Sequence, residues 1–226
     1  MGYCRYFLLV RNLDTARMPV RIKFCGITRV EDALAAVSLG ADALGFVFYA
    51  PSPRFIDVAR AVAIAGTLPP FTSKVGLFVN ASAEEVEEVC RAVRLDVVQY
   101  HGDELPADCA RSPRPWIKAI RVRPDLDVAQ ECARYAHASA WLFDSYDERL
   151  YGGSGKAFDW QLLPPHNRRP IILAGGLSPD NVGQAIRTTA PYAVDVSGGI
   201  EAAKGIKDYD KMRKFIAEVQ RCACQT

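Results

Sequence analysis

No apolar run in the 226 residues approaches the roughly 18 needed to cross a bilayer. "YFLLV", residues 6–10, is short and no small-residue cleavage site follows it, so a secretory leader is not expected. Basic tails and blocks of one charge sign are also lacking. Net charge is +2, with Lys, Arg, Asp and Glu scattered along the chain, so nothing calls for nucleic acid or an anionic membrane. The seven cysteines are an odd number at irregular spacing in a long chain, which excludes a disulfide scaffold and fits reduced thiols in the cytoplasm. Cys222 and Cys224 form a C-x-C pair, but no matching Cys or His pair precedes them, so no metal site is expected.

What is present is an alternation of two textures from Val20 onward. Eight short apolar runs read as strands: "RIKFCG", "ALGFVFY", "KVGLFV", "DVVQYHG", "WIKAIRV", "AWLFDS", "PIILAGG" and "YAVDVSGG". Continuous apolar strands point to parallel pairing, which needs crossover helices. Amphipathic stretches supply them. "TRVEDALAAVSLG" offers Thr28 as N-cap with Glu31 closing a capping box, and ends on Gly40. "SAEEVEEVCRAVR" repeats the device with Ser82 and Glu85. "SPDNVGQAIRTT" places Ser178 at the start and Pro179 at the first helical position. "KDYDKMRKFIAEVQ" aligns Tyr209, Met212, Phe215, Ile216 and Val219 on one face. Units beginning about 20 to 30 residues apart suit strand–helix repeats. Eight of them predict one closed α/β barrel, a (β/α)8 TIM barrel, over residues 20–226. An open doubly wound sheet is the rival, but the first turn carries a single glycine and the glycines concentrate late. Residues 1–19 read as an amino-terminal extension, either a frayed arm or, with Met18 as the true start, mis-assigned upstream residues.

In such barrels chemistry sits on the loops after the strands' C-terminal ends. The first strand ends in Cys25, the second is followed by Arg54, the fourth by His101, and the sixth ends in Asp144. The seventh ends in Gly175 and Gly176; the eighth carries Asp195 and then Ser197, Gly198 and Gly199. Three glycine clusters at one rim, counting "GGSG" with Gly155, suit backbone N–H groups aimed at a phosphate. Glycines can also simply make tight turns. Cys25 sits at a strand tip facing that rim, where a thiol can serve as a base. Cys90, Cys109 and Cys132 lie in helical segments and read as small buried hydrophobes. Asp144 closes an apolar run, so it is a turn residue or a partly buried acid. Arg54 is a solvated loop arginine or a fork for a carboxylate. His101 reads as structural rather than catalytic. Asp195, inside an apolar strand, needs a lysine, backbone donors or a substrate hydroxyl as partner.

Taken together, "KFCGITR", "GADALGFVF", "SPRFI", "VGLFVN", "VVQYHG", "LFDS", "GGSGKAFDW", "ILAGGLSPDNV", "DVSGGIE" and "KDYDKMRKFI" resemble the phosphoribosylanthranilate isomerases of tryptophan biosynthesis, over about residues 20–220. The family often has "KICGIT", a threonine in the glycine loop and "DVSSG"; Phe24, Ser154 and Gly198 stand there in this sequence. The resemblance implies an Amadori rearrangement of N-(5-phosphoribosyl)anthranilate. It implies Asp144 as general acid, Cys25 as general base and Arg54 on the anthranilate carboxylate. Asp195 would contact the sugar or order the site. Gly155, Gly175, Gly176, Ser197, Gly198 and Gly199 would line the phosphate site. No cofactor is implied, because only protons move. The expected partner is a small phosphorylated molecule, with the chain a monomer or homodimer. Two other readings stay open. An indole-glycerol-phosphate synthase-like barrel would need a catalytic lysine near the first strand's tip, and Lys23 faces the same side as Cys25. A non-catalytic phospho-ligand-binding barrel would need neither Cys25 nor Asp144.

Overall fold

The computed structural model describes residues 19–123, 125–145, 159–163 and 169–223. Eight parallel strands close into a barrel in sequence order: β1 (Arg21–Cys25), β2 (Ala43–Val47), β3 (Ser73–Phe78), β4 (Val97–Tyr100), β5 (Trp116–Val122), β6 (Ala140–Ser145), β7 (Ile171–Leu173) and β8 (Ala193–Val196). β8 pairs with β1 to complete the ring, with Lys23 opposite Asp195. Helices α1 (Val30–Leu39), α2 (Val58–Ala65), α3 (Ala83–Val93), α4 (Pro106–Cys109), α5 (Val128–Arg134), α6 (Val182–Thr189) and α7 (Tyr209–Ala223) occupy the crossovers and the C-terminus. Among the described residues, a single 3-10 turn, Trp160–Leu162, lies between β6 and β7. A short antiparallel hairpin, β9 (Glu201–Ala203) with β10 (Ile206–Lys207), follows β8. All eight strand-like runs are therefore strands. Residues 1–18, where most of the expected extension lies, and Gly155 fall outside the described residues.

Alternation along each strand sorts the side chains into two cores. Phe24, Phe46, Val98, Phe143, Leu173 and Val196 belong to the large cluster that also holds buried helix residues such as Ala36, Val86 and Phe215. The Phe24 ring meets Phe215 of α7 edge-on at 6.0 Å. The opposite parity faces the barrel axis, where Ile117, Ala119, Leu142, Ile172 and Ala193 form an apolar plug. Nearer the strands' C-terminal ends that interior turns polar: Lys23, Gln99, His101, Asp144 and Asp195 are all buried. Polar groups at this depth require partners, and these partners define the site below.

The caps differ in two places from the sequence expectation. α3 starts as expected, with the Ser82 hydroxyl accepting the Glu85 N–H at 3.1 Å. α1 ends on Gly40 at φ 106°, as expected. Its start is Arg29, not Thr28, and no side chain caps it; the Thr28 hydroxyl donates instead to the Gly205 carbonyl of the β9–β10 turn. α6 begins at Val182 rather than Pro179. The Asn181 amide donates to the Gly176 carbonyl and accepts from the Ser178 N–H, both at 2.9 Å, which holds residues 176–181 as a turn ahead of the helix. On α7, Met212, Phe215, Ile216 and Val219 are buried, but Tyr209 at the first turn is exposed.

Candidate active site

Cys25 is the last residue of β1 and is buried, with Val47, Leu77 and Val79 around it. The next residue, Gly26, turns the chain away at φ 74°. A Cβ there would stand 2.6 Å from Arg54 Cδ and 3.1 Å from the Ser197 hydroxyl. Glycine is thus required both by the left-handed backbone and by the close passage of Arg54. The Cys25 carbonyl is held by two donors: Lys207 Nζ at 2.7 Å and the Ser197 hydroxyl at 2.9 Å. Burial pushes the Cys25 thiol up; the Lys23 ammonium pulls it down but does not overcome burial, and the Asp195 carboxylate adds to the rise.

Lys23 sits two residues before Cys25 on the same face. Its ammonium donates to Asp195 Oδ1 at 2.8 Å, and both side chains are almost wholly buried. Of the three partners open to Asp195 on sequence grounds, the structure supplies the lysine. Lys23 is raised: burial alone would lower it, and Asp195 and Cys25 outweigh that. An isolated buried ammonium would tend to lose its proton; a paired one keeps it.

Asp144 lies near the end of β6, on the barrel's inner face. Its Oδ1 accepts the Ser145 N–H at 2.8 Å, and its Oδ2 lies 3.3 Å from His101 Nε2. Gln99 Nε2 stands 2.8 Å from His101 Nδ1. His101 Nε2 itself makes no hydrogen bond, so its approach to the carboxylate is a close contact between two buried polar groups. His101, read from sequence as structural, therefore touches the candidate acid. Gly175, at φ 79°, lets β7 pass close beside it: a Cβ would stand 2.5 Å from the Ser145 nitrogen and 3.0 Å from Asp144 Oδ1.

Arg54 reaches over the mouth from the β2–α2 loop. Its Nε and Nη2 fork onto Glu201 at 2.8 and 2.9 Å, and Cys25 and Asp144 both act on its charge. Cys25 and Asp144 both lie near the C-terminal ends of parallel strands, β1 and β6, and so at the same end of the barrel. Glu201 also accepts from Lys207 Nζ at 3.0 Å. Burial alone would raise the Glu201 carboxyl, but Arg54 and Lys207 together hold it below the usual carboxylate range. Lys207 itself is lowered, burial being the largest cause. The result is a buried chain, Arg54–Glu201–Lys207, that ties the β9–β10 hairpin to the tips of β1 and β8.

Gly176, Ser197, Gly198 and Gly199 lie on the loops after β7 and β8. A Cβ on Gly199 would stand 1.9 Å from the Leu177 carbonyl, so the two loops touch backbone to backbone. Gly198 and Gly199 open a 3-10 turn, Gly198–Ile200. The β7 and β8 loops thus meet at Leu177 and Gly199, with Gly198 beside Arg54 and Gly175 beside Asp144.

Sequence reasoning missed Glu201 and Lys207, weighed Lys23 only as the mark of a rival enzyme, and set His101 aside. Lys23 carried a legible signal, a charge inside an apolar strand at period two from Cys25. Glu201 and Lys207 had none, because their pairing depends on how the hairpin folds back.

A closed (β/α)8 barrel with buried titratable groups and glycine turns at the C-terminal mouth defines the class: a TIM-barrel enzyme. Residues 22–218 match the model of the N-(5'-phosphoribosyl)anthranilate (PRA) isomerase family. An N-(5'-phosphoribosyl)anthranilate isomerase of Pseudomonas putida (strain GB-1) is 59% identical over 202 residues, 89% of this chain and 98% of the relative. Phosphoribosyl anthranilate isomerase from Thermotoga maritima superposes with a TM-score of 0.84 at 42% identity, over 89% of this chain and 99% of that one. A solved isomerase in complex with reduced 1-(o-carboxyphenylamino)-1-deoxyribulose 5-phosphate gives a TM-score of 0.81 at 40% identity, with the same coverage. The chain belongs to the N-(5'-phosphoribosyl)anthranilate isomerase family.

Proposed function

We propose that the chain catalyses the Amadori rearrangement of N-(5-phosphoribosyl)anthranilate to 1-(2-carboxyphenylamino)-1-deoxyribulose 5-phosphate, a step of tryptophan biosynthesis. Family membership supports the reaction. The observation that supports the assignment of roles is the buried thiol of Cys25 and carboxyl of Asp144, set near the C-terminal ends of β1 and β6 at one end of the barrel.

In this reading Asp144 protonates the ribose ring oxygen. The ring C–O bond breaks, and the anilino nitrogen's lone pair forms a Schiff base at C1. The Cys25 thiolate then takes the proton from C2, and the electron pair moves to nitrogen to give an enolamine. Tautomerisation places a proton on C1 and leaves the ketone at C2. Arg54 meets the anthranilate carboxylate with the part of its guanidinium that Glu201 does not occupy. Gly175, Gly176, Ser197, Gly198 and Gly199 receive the phosphate through backbone N–H groups, with Gly155 outside the described residues. Asp195 orders the site by holding Lys23. The phosphate grip lies away from the reacting carbons, so its binding energy orients them. Protons are the only species moved, and the scheme uses no cofactor.

The five described cysteines, Cys25, Cys90, Cys109, Cys132 and Cys222, are free and buried, which supports a reducing, cytoplasmic setting. Among the described residues no helix is long and apolar enough to cross a membrane. The test is twofold. Purified protein should change the anthranilate-type emission of the phosphoribosyl substrate with no cofactor added. The gene should also restore growth to a tryptophan auxotroph lacking this step, with or without residues 1–17. No emission change and no growth from a folded full-length chain would reject the assignment.

A further inference from the structure

Lys23 and Cys25 point into the barrel from the same strand and meet over a glycine. A Cβ added to Gly45 would stand 2.9 Å from Cys25 Sγ and 3.1 Å from Lys23 Nζ. Any side chain there would part them, and Gly45 lies directly opposite Cys25 in the β1–β2 ladder. Beneath, Asp195 takes the ammonium at 2.8 Å from the position opposite Lys23 on β8. Rigid backbone on three strands thus fixes sulfur, ammonium and carboxylate relative to one another.

We propose that Lys23 is a positioning residue for the Cys25 thiolate, held beneath the sulfur by Asp195. The proposal deepens the reading of Cys25 as the base and takes its functional meaning from it. A buried thiolate needs a nearby cation, because burial alone favours the neutral thiol. Asp195 repels the thiolate directly, yet it keeps Lys23 charged and in place. The other charged groups facing the sulfur are Lys207, whose ammonium sits on the Cys25 carbonyl, and Arg54. Val47, Leu77 and Val79 add only apolar surface from the β2 and β3 side. The arrangement predicts opposite effects from the two partners. Without Lys23 the thiolate loses its counter-ion. Without the Asp195 charge the thiolate becomes the counter-ion of Lys23.

The test is an ultraviolet titration of the thiolate, taken as the difference between each protein and its Cys25→Ser counterpart across pH. Lys23→Met is expected to move the Cys25 midpoint to higher pH, with about tenfold less thiolate at a fixed pH below it. Asp195→Asn is expected to move it to lower pH. The ascending limb of kcat/KM should move in the same two directions. An unmoved midpoint in Lys23→Met, or equal directions in both variants, overturns the proposal. If Lys23→Met fails to fold, Lys23→Met/Asp195→Asn removes both charges and leaves neither unpaired; its midpoint should rise, and an unchanged or lower one is again contrary. The titration reads the sulfur and not turnover. Retained activity in Cys25→Ser would instead remove Cys25 from the base role and leave the titration result standing.

Discussion

His101 Nε2 stands 3.3 Å from Asp144 Oδ2, with both side chains buried. Gln99 holds the other ring nitrogen at 2.8 Å, so the imidazole is fixed beside the carboxylate. His101→Ala removes the group beside the candidate acid while leaving the acid itself. We expect kcat to fall roughly 10- to 100-fold with KM little changed, the cost of a misplaced catalytic group. Steady-state kinetics followed by substrate emission will show it; wild-type kcat would deny His101 that role.

Glu201 joins the buried Lys207 and the part-buried Arg54. Glu201→Gln leaves both without their carboxylate, and breaking a buried ionic cluster of this kind costs about 3–5 kcal/mol. Chemical denaturation should show that loss, together with a raised KM as Arg54 loses its brace. The Glu201 carboxyl is held below its ordinary value in the folded chain. Between the folded and unfolded values the unfolded chain binds more protons. This contribution is therefore complete above the ordinary glutamate range and is lost as pH falls through the folded value. Wild-type melting temperature should fall across that acid window, and Glu201→Gln should show a flatter fall.

The paired glycines after β8 should differ sharply. A Cβ on Gly199 meets the Leu177 carbonyl at 1.9 Å, whereas one on Gly198 meets only the tip of Arg54, at 3.1 Å. Gly199→Ala must shift the β7 and β8 loops apart, and KM should rise about tenfold or more through lost phosphate orientation. Gly198→Ser places a side chain where a flexible arginine can yield, and stability should change by no more than about 0.5 kcal/mol. Inhibition by inorganic phosphate, compared across the two variants, separates the expectations.

Burial raises the Cys25 thiol above its ordinary value in the free protein. A raised value means less thiolate at neutral pH and a growing fraction as pH rises. The ascending limb of kcat/KM, which reports the free enzyme, should therefore lie on the alkaline side of an ordinary thiol. A limb near pH 6 would show a different base.

The barrel was legible because parallel strands buried on both faces leave continuous apolar runs, and all eight were visible. The placement of Cys25 and Asp144 near the C-terminal ends of β1 and β6 was legible too, because each closes an apolar run. The late glycines followed from the same rule. Caps were less legible. Thr28 has the right type and spacing for a cap, but its hydroxyl found the Gly205 carbonyl, a partner 177 residues away. Asn181 displaced Ser178 for a similar reason, bonding back to Gly176. The Arg54–Glu201 fork spans 147 residues and Lys23–Asp195 spans 172. Local pattern carries no information on which distant charges will meet, only that a charge inside an apolar strand must meet something.

The most direct measurement is single-substitution kinetics at the two proton-transfer positions. Cys25→Ala and Asp144→Asn should each lower kcat by about 10²–10⁴-fold while KM and melting temperature stay near wild type. Turnover close to wild type in either folded variant would contradict the account of a thiol base and a carboxyl acid working across one barrel mouth.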